Sequence, residues 1–107
     1  MKKVYIASPY TIGDVAVNVR AQLQVFDILA DNGFCPFAPL LSHFQHMYHP
    51  RPYEDWLKFD YEWILVCDYL LRLPGESSGA DKEVELAKKN NIPVFYSVED
   101  LLNKGGR

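Results

Sequence analysis

Four short apolar runs alternate with longer stretches of helical periodicity, and this alternation limits the chain to few architectures. The runs are Val4-Tyr5-Ile6-Ala7, Phe34-Cys35-Pro36-Phe37, Asp68 to Leu73, and Pro93-Val94-Phe95-Tyr96. Each is bounded by turn-forming residues and reads as a buried strand. Between the first two, Val15, Val19, Leu23, Phe26 and Ala30 recur at intervals of three and four before Gly33. That spacing predicts a helix from Val15 to Asn32 with a glycine stop. Further helices are predicted from Tyr53 to Cys67 and from Ala80 to Asn90, with a closing helical turn or two from Val98 to Leu102. Strands alternating with helices imply an α/β fold, a doubly wound parallel sheet of four to five strands with helices on both faces. Pro36 suits an edge strand. The stretch from Ala38 to Pro52, rich in proline and histidine, reads as a long loop of a length that is often functional.

With 107 residues the chain fits one domain, residues 1–107, around a single small core. The 49% hydrophobic and 23% charged composition is that of a globular chain. A net charge of −3 argues against a nucleic-acid partner, which would call for a basic surface. No stretch approaches the roughly 20 apolar residues of a membrane span, so no membrane partner is expected. The start lacks the apolar run of an export signal, and Cys35 and Cys67 carry no metal-type spacing. Both read as buried, reduced thiols of a cytoplasmic protein.

In doubly wound sheets, ligands bind beyond the carboxyl ends of the strands, where the strand order reverses. Those ends carry Ser8-Pro9-Tyr10-Thr11, the His-rich stretch, and Pro74 to Gly79. The Ser77-Ser78-Gly79 turn offers free backbone N–H groups to an anion. Glu83 falls beside the apolar residues of the following helix, near its amino end, where an ionised carboxylate is favoured. It reads as a catalytic acid aimed inward or, alternatively, as a solvated acid in a charged run. Asp60 interrupts a stripe of Trp56, Trp63 and Cys67. Burial against tryptophan would keep it protonated, as a general acid requires; the alternative is a structural carboxylate bonded to a loop. His43, His46 and His49 repeat every third residue, but nothing completes a zinc pattern, so no metal is assigned. His43, nearest the strand end, is the one expected to line the pocket, and Tyr10 is placed for a base or phosphate contact. With no Gly-rich nucleotide motif, no cofactor is indicated.

Three segments taken together resemble the nucleoside 2-deoxyribosyltransferase superfamily: Tyr5-Ile6-Ala7-Ser8-Pro9-Tyr10, Asp60 to Asp68, and Ser77 to Glu83 followed by Leu86-Ala87. The spacing around Asp60, Trp63 and Asp68 is similar to that of the 2'-deoxynucleoside 5'-phosphate N-hydrolases in that group. The His- and Trp-bearing region looks more like its small uncharacterised bacterial and phage members. The resemblance implies a flavodoxin-like sheet and a homodimer or higher even oligomer whose subunits complete each other's sites. It carries the nucleophile role onto Glu83 and an acid/base or orienting role onto Asp60. Ser77 and Gly79 match the phosphate-contacting turn, and Ser8 the first-loop serine. Where phosphate-specific relatives have a first-loop arginine this chain has Tyr10, and Val84-Glu85 replaces the usual Leu-Gly. The implied partner is a small-molecule nucleotide or nucleoside, and the implied reaction is cleavage of its N-glycosidic bond with release of free base. Base exchange is the alternative within that chemistry, and a non-catalytic nucleotide-binding module the alternative outside it.

A homodimer also follows from the second helix itself. Leu57, Tyr61 and Ile64 lie off the Trp56–Asp60–Trp63 stripe, so apolar residues cover most of its circumference and call for a second partner surface.

Overall fold

The computed structural model describes residues 1–106. Four parallel strands, β1 (Lys3–Ala7), β2 (Cys35–Phe37), β3 (Tyr69–Arg72) and β4 (Val94–Phe95), lie in the order β2-β1-β3-β4. This is the strand order of the flavodoxin-like doubly wound class, with its reversal point between β1 and β3. Helices α1 (Val15–Asp31), α2 (Ser42–Tyr48), α3 (Tyr53–Leu65), α4 (Ser78–Lys89) and α5 (Val98–Lys104) connect and follow the strands. The expected α/β fold is therefore present, with four strands and with Pro36 on an edge strand as its missing N–H requires.

The period-2 alternation of β1 divides the core into two layers. Val4 and Ile6 face Leu29, Phe34, Leu71 and Leu101 on the α1/α5 side. Tyr5 and Ala7 face Ile64, Cys67, Ala80, Val84 and Ala87 on the α3/α4 side. Each fully buried Leu or Ile here contributes about 1.5–3 kcal/mol relative to exposure. Tyr5 is fully buried, so its hydroxyl must find a partner within the α3/α4 layer.

Several expectations need correction. The inward face of α1 is centred on Gln22 and Leu29, both fully buried, whereas Leu23 and Ala30 are exposed. Side-chain hydrogen bonds hold Gln22 inward, and shifting a helical residue by one position turns it by about 100°. The segment from Ala38 to Pro52 is not a loop throughout: it holds a 3-10 turn at Pro39–Leu41 and then α2. On α3, Ile64 is the fully buried residue and Tyr61 packs against the core, while Trp63 is 51% exposed. The indole of Trp63 stacks on Phe37 with centroids 5.0 Å apart, and Phe37 in turn stacks on Tyr5. Cys67 is buried as expected, but Cys35 is exposed because the edge strand β2 has no neighbour outside it. No helix among the described residues is long and apolar enough to cross a membrane.

Candidate functional site

Beyond the carboxyl ends of β1 and β3 lies a cavity of about 600 Å³. Its lining includes every residue singled out from the sequence: Ser8, Tyr10, His43, Asp60, Ser77, Gly79 and Glu83. The reversal point brings them together because β1 and β3 are neighbours and both run toward this edge.

The β3–α4 side is built by local chemistry. Ser77 caps α4, its hydroxyl accepting from the Ala80 N–H at 3.1 Å. Gly75, at φ +118°, adopts a backbone conformation that suits glycine, and a Cβ there would come 2.7 Å from Pro9 Cγ. The turns after β1 and β3 are thus packed together. The buried guanidinium of Arg72 donates to the Leu73 carbonyl, to the Gly75 carbonyl at 2.9 Å, and to Asp81 Oδ1 at 3.0 Å, bracing the same turn. Gly79 lets the Tyr53 side chain lie over the turn, since a Cβ would sit 2.9 Å from the Tyr53 hydroxyl oxygen.

Glu83 is 7% exposed and accepts a hydrogen bond from the Tyr5 hydroxyl. Burial pushes its carboxyl up to about 8; the Tyr5 hydrogen bond opposes this, the Asp60 charge adds to it, and Arg72 opposes it. Burial alone pushes Asp60 up to about 7. The two carboxyls are therefore both raised into the same range, and a charge on either opposes ionisation of the other. The upward shift of Asp60 is the one expected from burial, whereas Glu83, expected to favour its ionised form, is raised instead in the empty cavity. The reason is placement: α4 begins at Ser78, so Glu83 lies in its second turn, beyond the reach of the helix dipole. Burial is the one cause of the Asp60 shift, with no hydrogen bond contributing to it.

The β1 side is held by Gln22, which the sequence reading passed over. Its Nε2 donates to the Ile6 carbonyl at 3.0 Å and to Ser8 Oγ at 2.8 Å, and its Oε1 accepts from the Leu40 N–H at 2.9 Å. Because Ser8 Oγ accepts from Gln22, its own proton is free to point at a ligand. Asn18 fastens the following loop through the carbonyls of Tyr10 and Ile12, each at 2.9 Å. Gln22 was detectable as a lone amide falling between Val19 and Phe26 at helical spacing.

The α2–α3 side supplies further residues that the sequence reading did not assign: His46, Arg51, Tyr53 and, as a lining residue, Trp56. The Tyr10 hydroxyl and His43 Nδ1 are hydrogen-bonded across the cavity rim. His46 Nδ1 accepts from Trp56 Nε1 at 2.9 Å and from the Arg51 backbone N–H at 3.2 Å. Burial, then the charges of Glu83 and Asp60, raise the Tyr53 phenol above its ordinary value. Among the described residues, no group of three or more His, Cys, Asp or Glu is placed to hold a metal ion.

No curated protein matches the sequence significantly. Among solved structures, the chain is similar to the 2-deoxyribosyltransferase of the psychrotolerant bacterium Bacillus psychrosaccharolyticus, with a TM-score of 0.58 and 24% identity. The match covers 86% of this chain and 69% of that one, and it establishes a shared fold. A family model described as a domain of unknown function, DUF7768, matches residues 2–97, and the chain belongs to that family.

Proposed function

We propose that this protein cleaves the N-glycosidic bond of a nucleoside or nucleoside 5'-monophosphate, with a deoxy sugar preferred, and releases the free base. The observation that carries this reading is the pair of carboxyls, Glu83 and Asp60, in one cavity beside the Ser77-Ser78-Gly79 turn between strand and helix. The fold shared with a 2-deoxyribosyltransferase supports it. Two carboxyl groups flanking a glycosidic bond are the arrangement of retaining glycosidases.

In the first half-reaction a Glu83 oxygen forms a bond to C1' as the C1'–N bond breaks. The bonding pair leaves with the base, which takes a proton from Asp60. In the second, water attacks C1', the ester bond to Glu83 breaks, and the water proton passes to Asp60. A second base in place of water would give base exchange. The reactive microstate needs Glu83 ionised and Asp60 protonated. With Glu83 raised to about 8 and Asp60 to about 7, the two carboxyls are close enough in acidity for the shared proton to sit on Asp60 at little cost. Developing positive charge at C1' favours the Glu83 anion, and the Tyr5 hydroxyl and Arg72 are in place to stabilise it. Ser8, Ser77 and the Gly79 backbone would take the 5' end of the sugar, with Tyr10 and His43 over the ligand.

A homodimer, or an even multiple of it, is part of the same reading. Its support is the apolar surface along α2 and α3: Phe44, Met47, Phe59, Trp63 and Val66 are all exposed. A twofold contact is the commonest way to cover such a face. Light scattering should give at least twice the 12.3 kDa chain mass. An active monomer at assay concentration would remove the dimer from the reading. The reading as a whole is tested by incubating the protein with (deoxy)nucleosides and their monophosphates and measuring free base by chromatography. Tight binding without base release would leave a nucleotide-binding module instead.

A further inference from the structure

The α2–α3 wall of the cavity is made of hydrogen-bond donors. His46 Nδ1 accepts two N–H groups, from Trp56 at 2.9 Å and from Arg51 at 3.2 Å. A ring nitrogen engaged in this way carries no proton, so the imidazole proton is on Nε2 and His46 presents a fixed donor. The Arg51 guanidinium can only donate, and among the described residues it makes no ion pair. It is also the one lysine or arginine among the cavity-lining residues. Asp60 follows Trp56 by four residues on the same face of α3, so Asp60 and the residue that anchors His46 stand one helical turn apart along α3. Protonated Asp60 is a third donor in this row.

We propose that this wall selects the leaving base by an acceptor-only edge, the N7–O6 edge of a 6-oxopurine, with Asp60 at N7 and Arg51 and His46 at O6. The proposal rests on the N-glycosidic reading of the cavity. Arginine is well matched to O6, since it can only donate and O6 has two lone pairs to share between Arg51 and His46. Protonation at N7 also improves the purine as a leaving group, which joins recognition to the acid role of Asp60. A 6-aminopurine replaces O6 with an amino group and so sets donor against donor, leaving the donors of the wall without an acceptor. Trp56 is a positioning residue: its indole N–H holds the His46 tautomer without itself reaching the base.

Two readouts separate this proposal from the reading beneath it. The first is equilibrium binding of free hypoxanthine and adenine by calorimetry at pH 6, which needs no catalysis. The second is base release from deoxyinosine and deoxyadenosine. Hypoxanthine should bind roughly tenfold or more tightly than adenine, the size expected for one well-placed donor set. Arg51→Met and His46→Phe should each bring that ratio toward one, by weakening hypoxanthine and relieving the donor–donor opposition to adenine, and Arg51→Lys should recover part of it. Trp56→Phe should lower the ratio less, because it frees the tautomer without removing the ring. Arg51 is exposed, so its variants test the idea without threatening the fold. Base release without any oxo-over-amino preference overturns this proposal and leaves the glycosidic reading standing. Hypoxanthine preference without base release supports the recognition and overturns the chemistry. Absence of binding to either base, or a ratio unmoved by Arg51→Met and His46→Phe, overturns the proposal.

Discussion

The two sides of the cavity differ in how they are made. On the β3–α4 side, strand, turn and helix follow one another within about a dozen residues, and Ser77, Gly75 and Arg72 act on backbone groups a few positions away. On the α2–α3 side the defining bonds join distant parts of the chain: Tyr10 to His43, separated by 33 residues, and Trp56 to His46, separated by ten. The first side obeys local rules of capping and turn geometry. The second exists only after α2 and α3 have packed. A site of this kind can keep its nucleophile in the local side and vary its ligand through the tertiary side.

The largest expected effect lies at Glu83, where both sides meet. Glu83→Ala should abolish base release while leaving an ordered fold by circular dichroism. Turnover at the parent rate would show that the chemistry does not run through the α4 side. Asp60→Asn, on the other side, should slow release roughly 10²- to 10⁴-fold. The loss should be greatest for bases that leave poorly, because these depend most on a proton. Equal slowing of good and poor leaving groups would make Asp60 an orienting group and assign the acid role elsewhere.

Glu83 also makes stability depend on pH. Its folded value, about 8, lies above the ordinary value of 4.5. The unfolded chain therefore releases this proton more readily than the folded one. The stabilisation from keeping Glu83 neutral is fully present below about pH 4.5 and is lost as pH rises through about 8. Asp60 acts in the same sense, from its ordinary value of 3.8 up to about 7. Glu83→Gln should thus melt higher than the parent at pH 8, by a few kcal/mol in stability, and lose that advantage near pH 4.5. An advantage independent of pH would mean that the carboxyl is not buried uncharged.

How far the sequence could be read follows the same division. The strands, α1, α3, α4 and the turn at Ser77-Ser78-Gly79 were legible because each rests on periodicity or on a neighbour's backbone. Glu83 and Asp60 were legible as acids out of place among apolar residues. The upward shift of Glu83 was not, because it depends on the depth of burial and on surroundings such as Tyr5, 78 residues away. Helix α2 was missed because its segment is ringed by prolines and its partners lie elsewhere in the chain. Gln22 was missed because a polar residue on an apolar face reads as noise until its three partners are seen. Gln22→Leu tests that last point. It keeps the volume but leaves the Leu40 N–H and Ile6 carbonyl without their partner, at a cost of about 2 kcal/mol. Ser8 and the 3-10 turn should loosen together, raising KM more than they lower kcat. Unchanged stability would show that water replaces the amide without loss.

The smallest expected effect probes the seam between the two sides, where Tyr53 at the start of α3 lies over Gly79 near the start of α4. Alanine is the better helix former by about 1 kcal/mol, and Gly79 does not need a positive φ, so Gly79→Ala should not weaken α4 itself. The added methyl would, however, stand 2.9 Å from the Tyr53 hydroxyl oxygen. Tyr53 is 58% exposed, so it can swing away at little cost to the fold. The melting temperature should therefore stay level or rise slightly while KM increases severalfold, separating stability from ligand binding at one position. The same change made in a Tyr53→Phe background should raise KM less than it does in the parent, because the two substitutions act on one contact and cannot be additive. If their effects simply add, Tyr53 is not part of the ligand's surroundings, and the α4 turn binds without help from α3.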